Sequence, residues 1–79
     1  MRLDKYLKVS RLIKRRTVAN EACDGERIYV NGKPAKASYN VKVGDQIELH
    51  FGTRTLRVEV LAVADAVRKD DASTMYREL

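Results

Sequence analysis

At Gly25 the spacing of apolar residues changes from the helical period of about 3.6 to the strand period of about 2, which confines the chain to folds that place helices before a sheet. Upstream, residues 2–9 are predicted to form a short helix, with Leu3 and Leu7 on one side and Arg2, Lys5 and Lys8 nearly opposite. Asp4 in its first turn suits the positive end of the helix dipole. Ser10 to Arg16 reads as a connector, with Leu12 and Ile13 pinned in the core. A second helix is predicted from Thr17, as N-cap, to Asp24. Val18, Ala19, Ala22 and Cys23 are expected on its inner face, and Asn20, Glu21 and Asp24 on its outer face. Gly25 is expected to stop it at positive φ.

Downstream, Arg27 to Val30 reads as a strand burying Ile28 and Val30. Asn31-Gly32 is a strong hairpin signal, because a type I′ turn needs positive φ at both central residues. Lys33 to Ala37 would return, and Pro34 marks that segment as an edge or short strand. After a turn at Val43-Gly44-Asp45, Ile47, Leu49 and Phe51 alternate with Gln46, Glu48 and His50. Beyond Gly52-Thr53, Leu56, Val58 and Val60 alternate with Arg57 and Glu59. The expected class is α+β: two short N-terminal helices packed on a small antiparallel sheet. Residues 1–64 are read as the domain and 65–79 as a C-terminal tail, helical or disordered over Ala72 to Leu79.

A chain of 79 residues allows one domain, and with Cys23 alone no internal disulfide is possible. No apolar run approaches the roughly 18 residues of a membrane span. The first residues alternate Leu with Asp and Lys rather than forming a leader, so a soluble, cytosolic protein without membrane contact is expected. The net charge of +5 is segregated. Residues 1–16 hold seven basic side chains against Asp4, residues 17–64 balance six against six, and residues 65–79 hold three against four. A segregated excess is the electrostatic footprint of a polyanion-binding face, where a uniform one is a solvated surface.

The ordered series Arg2-Leu3-Asp4-Lys5-Tyr6-Leu7, Lys14 to Ala19, Cys23, Gly25, Val30-Asn31-Gly32, Lys36-Ala37-Ser38 and Val43-Gly44-Asp45 resembles the RNA-binding domain named after small-subunit ribosomal protein S-four. The resemblance spans about residues 1–51. It implies the helical RNA-binding motif called αL in that family, which also occurs in pseudouridine synthases, tyrosyl-tRNA synthetases and the fifteen-kilodalton heat-shock protein. The Met1 to Lys5 start, Ser10 to Thr17 and Met75-Tyr76 are similar to the stand-alone members that serve ribosome-associated quality control in Gram-positive bacteria. That likeness implies as partners large-subunit rRNA, peptidyl-tRNA and RqcH, a NEMF-type factor that adds C-terminal alanine tails without mRNA. A monomer is expected.

Within this reading, Lys5, Lys8 and Arg11 reach phosphates from the first helix and its end. Lys14, Arg15, Arg16 and Thr17 lie at the start of the second helix, whose free N–H groups also favour phosphate. Arg16 ranks first, because a guanidinium grips phosphate in a fork. The resemblance adds Arg2, with Lys36 and Ser38 at the rim; Arg2 equally suits an ion pair with an acid. Asp4 has no second carboxylate or histidine placed near it in sequence, so a dipole or salt-bridge role outweighs catalysis. His50, the only histidine, lacks metal-site partners, and Cys23 reads as a buried structural thiol. Tyr6, Tyr29 and Tyr39 read as packing residues ahead of base-stacking ones. No nucleophile–base pair is present, so no enzyme, cofactor or metal is expected. A DNA reader is disfavoured, because Glu21 and Asp24 would face the groove. The alternatives kept are a heat-shock-protein-like rescue factor for blocked large subunits and a generic binder of structured RNA.

Overall fold

In the computed structural model, which describes residues 1–64 and 68–79, Leu3–Val9 form α1 and Arg16–Asp24 form α2. Five antiparallel strands follow: β1 (Ile28–Val30), β2 (Lys33–Pro34), β3 (Gln46–Phe51), β4 (Arg54–Val60) and β5 (Tyr76–Glu78). They lie in the order β2-β1-β3-β4-β5, and a 3-10 helix, Lys69–Met75, leads into β5. The α+β class is as the periodicity predicts.

Leu3, Tyr6 and Leu7 of α1 and Ala19, Ala22 and Cys23 of α2 pack with Ile28, Val30, Ile47, Leu49, Val58 and Val60 in one buried cluster. The strand residues in it are alternate positions, so the sheet has one core face. Its other face carries cross-strand ion pairs, Arg57 with Glu48 and Arg77 with Glu59. Asn31 and Gly32 turn β1 into β2 at φ 52° and 85°, as a type I′ turn requires. β2 is an edge strand of two residues, as Pro34 implies.

Five local expectations are corrected. Helix α2 starts one residue early, at Arg16, and Thr17 is not its cap: Arg15 holds that position and makes no side-chain cap bond. Val18 is exposed rather than on the inner face, because the small residues Ala19 and Ala22 already fill the contact with the rest of the core. Gly25 has a negative φ, and the left-handed residue after α2 is Glu26 at φ 59°. The space at 25 is tight instead, since a Cβ there would lie 3.1 Å from the Glu21 carbonyl oxygen. Phe51, at the last position of β3, extends past the core and is exposed.

The fifth correction concerns the tail. Tyr76–Glu78 pair with Val58–Val60, and Met75 is 1% exposed. The Met75 carbonyl accepts from the backbone N–H groups of Leu61 and Ala62 and from the Tyr6 hydroxyl at 2.8 Å. The sequence pattern weakens after Val63 because this segment docks through strand pairing, the Met75 carbonyl and a few apolar side chains (Ala72, Met75, Tyr76), not an amphipathic run. Replacing Met75 with Ala should therefore cost about 2–5 kcal/mol in urea unfolding. A loss under about 0.5 kcal/mol, the size of an ordinary surface substitution, would show that the tail contributes nothing to the core.

Candidate nucleic-acid interface

The first two helices meet over Asp4. Its side chain is 3% exposed, although it is charged and lies in a helix of seven residues. Burying an ion is tolerated only where hydrogen bonds replace its water. Arg2 supplies a fork, Nε donating to Oδ1 at 3.2 Å and Nη2 to Oδ2 at 3.3 Å. The Lys5 backbone N–H donates to Oδ1 at 2.8 Å. From α2, Arg16 Nη2 donates to Oδ1 at 3.5 Å and Asn20 Nδ2 to Oδ2 at 3.2 Å. Arg16 and Asn20 are four residues apart, on one face of α2, so one carboxylate joins both helices.

Burial pushes the Asp4 carboxyl up, but the bonds from Asn20, the Lys5 N–H and Arg16, with the Arg16 charge, outweigh it and hold the group below its ordinary 3.8. Five donors on two oxygens occupy the lone pairs a proton would need, so this carboxylate is a brace and not an acid–base group. Arg2 and Arg16 nonetheless keep 52% and 48% of their side-chain exposure, leaving guanidinium edges open to a second anion. Of the two roles open to Arg2, the ion pair is present, and it leaves room for the other.

Lys8, Arg11, Lys14, Arg15 and Thr17 are exposed, and among the described residues their side chains have no partner. Lys5 is half-buried and engaged. A shallow depression of about 380 Å³ runs between Asp4, Arg16, Thr17, Asn20 and Glu21, beside the uncapped start of α2. The arginines of the sheet face are used differently: Arg57 and Arg77 are matched by carboxylates across the strands. Among the described residues, seven of the basic side chains lie within residues 1–16, against the single acid Asp4.

Lys36 and Ser38 are exposed on the loop after β2, outside both helices. That loop is nevertheless tied to α1, since Leu3 and Asp4 donate their N–H groups to the Tyr39 and Ala37 carbonyls. Tyr6 is fully buried, and burial pushes its hydroxyl up, so it packs. Cys23 is buried, and that burial, with the charges of Asp4 and Asp24, pushes its thiol up to about 12, so it is protonated at neutral pH. His50 is partly exposed, with Nε2 3.2 Å from Glu48 Oε2 and its ring 4.9 Å from Tyr29. Among the described residues no three His, Cys, Asp or Glu side chains converge as a metal site would need.

Asn20 is a site residue that the sequence pattern places wrongly. It was expected to face outward, yet it turns to Asp4. The signal available was a lone acid in a basic segment, with an Arg and an Asn spaced four apart on the next helix.

Arg11 is notable for its backbone, which has φ 64° at the end of α1. A left-handed conformation costs a residue with a Cβ roughly 1–2 kcal/mol, and glycine ordinarily takes such a place. An exposed, unpaired arginine held there fits strain tolerated for contact with a ligand.

A helix-borne basic face braced on one buried acid, backed by a five-stranded antiparallel sheet, defines a small RNA-binding domain. The S4 domain family model matches residues 1–47, and the chain belongs to that family. It is 59% identical to the RQC P-site tRNA stabilizing factor of Streptococcus pneumoniae over 76 residues, 96% of this chain and 86% of the relative. It is 57% identical to the factor of the same name from Halalkalibacterium halodurans, with the same coverage. The trimeric structure of Vibrio cholerae heat shock protein 15 superposes with a TM-score of 0.93 at 34% identity, over all of this chain and 81% of that one.

Two outcomes follow from the brace. Asp4→Asn should cost about 1–3 kcal/mol at neutral pH by removing charge-assisted bonds. Because the folded carboxyl titrates below its unfolded value, its contribution is full above about pH 4 and vanishes as pH falls through the folded value. The stability curves of wild type and Asp4→Asn should therefore converge in acid; a constant gap would mean that charge is not what is lost. Arg11→Gly should hold or raise stability by up to about 1 kcal/mol while weakening RNA binding. A destabilised Gly variant would show that the arginine itself supports the fold.

Proposed function

We propose that the protein is a non-enzymatic RNA-binding factor of ribosome-associated quality control, of the RqcP (YabO) type. It binds the stalled large ribosomal subunit at rRNA and peptidyl-tRNA and assists RqcH, the NEMF-type factor, in mRNA-free addition of alanine tails. It acts in the cytoplasm, as a single copy, without cofactor. The observation that carries this reading is the bracing of Arg2 and Arg16 by Asp4, which fixes two half-exposed arginine side chains on a face with surplus cations. Two relatives of nearly the same length are named for stabilizing a P-site tRNA, which supports tRNA as a partner here.

In this reading the contacts are Arg2, Lys5, Lys8, Arg11, Lys14, Arg15, Arg16 and Thr17, with Lys36 and Ser38 at the rim. Phosphates meet guanidinium edges already positioned by Asp4, so little side-chain entropy is lost on binding. The saturated Asp4 carboxylate and the protonated Cys23 thiol are neither of them poised for catalysis, which supports a binding role. Glu21 and Asp24, exposed on α2, would repel a DNA backbone from that helix. The runner-up is rescue of blocked large subunits, favoured by the close superposition on heat shock protein 15. The −1 balance of residues 65–79 favours the elongation role, since that relative resembles a type with a longer basic extension.

Co-sedimentation with purified large and small subunits should show selective pelleting with the large one. An Arg2→Ala, Arg16→Ala variant, shown folded by circular dichroism, should lose it. No association with either subunit, with or without peptidyl-tRNA, overturns the quality-control assignment. If about five phosphates are contacted, log K against log salt on a duplex should have a slope of about −4 to −5, and Arg16→Ala should reduce it by about one.

A further inference from the structure

Beside the helical face lies a second concavity, of whose lining the contacts above use only Lys36 and Ser38. It is a groove of about 570 Å³, within the roughly 300–1,000 Å³ range of small-ligand clefts, between the β1–β2 hairpin and the loop after it. Val30, Pro34 and Tyr39 give it apolar and aromatic walls, and Lys33, Lys36 and Ser38 give it polar ones. Both lysines are exposed, and among the described residues neither has a partner.

Tyr39 is held in place rather than left to rotate. Its hydroxyl donates to Asp45 Oδ2 at 2.9 Å, and Asp45 also accepts from Asn31 Nδ2 at 3.1 Å and the Lys42 N–H at 3.0 Å. Asn31 in turn accepts from the Gln46 N–H at 3.0 Å. With the hydroxyl committed to a buried carboxylate, the ring face is what Tyr39 offers a ligand. Lys36 is fixed nearby by the turn in which its carbonyl accepts the Tyr39 N–H at 3.0 Å. The Tyr39 carbonyl accepts from Leu3, the first residue of α1, so the groove adjoins the end of the helix that carries Arg2.

A fixed aromatic face with two free ammonium groups and a hydroxyl matches a planar base joined to a phosphate. We infer that this groove binds one unpaired nucleotide of RNA, with its base against Tyr39 and its phosphate between Lys33 and Lys36. This deepens the RNA-binding reading and rests on it. It assigns Lys36 and Ser38 to a base pocket instead of a general rim, and adds Lys33 and Tyr39. RNA held by the helical face would then be preferred where a base is unstacked next to the bound backbone.

The test is an NMR titration of the whole chain with adenosine 5′-monophosphate, and in parallel with inorganic phosphate. The nucleotide should move the Tyr39 ring protons upfield and shift amides between residues 31 and 39, whereas phosphate should leave the Tyr39 ring unmoved. Tyr39→Phe keeps the ring but loses the bond to Asp45 and should bind up to about threefold more weakly, while Tyr39→Leu should lose roughly tenfold, the size of one base–aromatic stack. If the Leu variant does not fold, Lys33→Gln, Lys36→Gln, two exposed changes, should still weaken the nucleotide several-fold. Shifts confined to the Arg2–Arg16 face, equal effects from phosphate alone, or a Leu variant binding as well as Phe would each overturn the pocket. Free nucleotide and isolated chain are used, so the outcome stands whether or not the subunit pelleting succeeds.

Discussion

A carboxylate removed from water must find donors for its lone pairs, and in this chain Asp4 finds them on two helices at once. Arg2 and the Lys5 N–H come from its own segment, Arg16 and Asn20 from the next. The angle between α1 and α2 is thereby tied to a charge that sits within the basic surface itself. Without that acid, Arg2 and Arg16 would repel one another and keep their full rotamer freedom. With it, both are oriented while about half of each remains open to solvent. The same bonds that stabilise the fold therefore arrange the basic surface proposed to meet RNA.

The sheet serves this arrangement from behind. Its core face supplies the apolar partners of Leu3, Tyr6 and Leu7, and its outer face cancels its own charges with cross-strand pairs. The C-terminal segment completes the support: Met75 fills the core and its carbonyl takes the Tyr6 hydroxyl, linking the 3-10 helix before β5 to α1. A second buried acid, Asp45, organises the other end of the α1 start through Tyr39, Asn31 and Lys42. Two buried carboxylates thus position the cationic face and the groove beside it.

Much of this was legible in the residue order. Periodicity separates helices from strands, Asn31-Gly32 places the hairpin, and Pro34 puts β2 at an edge, because each depends on backbone geometry that a few adjacent residues dictate. The segregated charge locates the candidate surface for the same reason, since charges close in sequence on a short helix remain close in space. The misplacements share a different cause. Val18 is exposed and Asn20 turned inward because what faces α2 is set by residues twelve or more positions away. Phe51 is exposed because its strand outruns the core.

The sequence by itself determined the element types, their order and the sign of the surface, all of which follow from local sterics, period and charge count. Tertiary structure alone decided that Asp4 is a buried brace and that Arg2 and Arg16 converge on it. It alone folded residues 76–78 back beside β4 and closed a groove between Tyr39 and two lysines. Those outcomes depend on which surfaces meet once water is excluded. Desolvation acts on groups distant in sequence, and no local pattern encodes it.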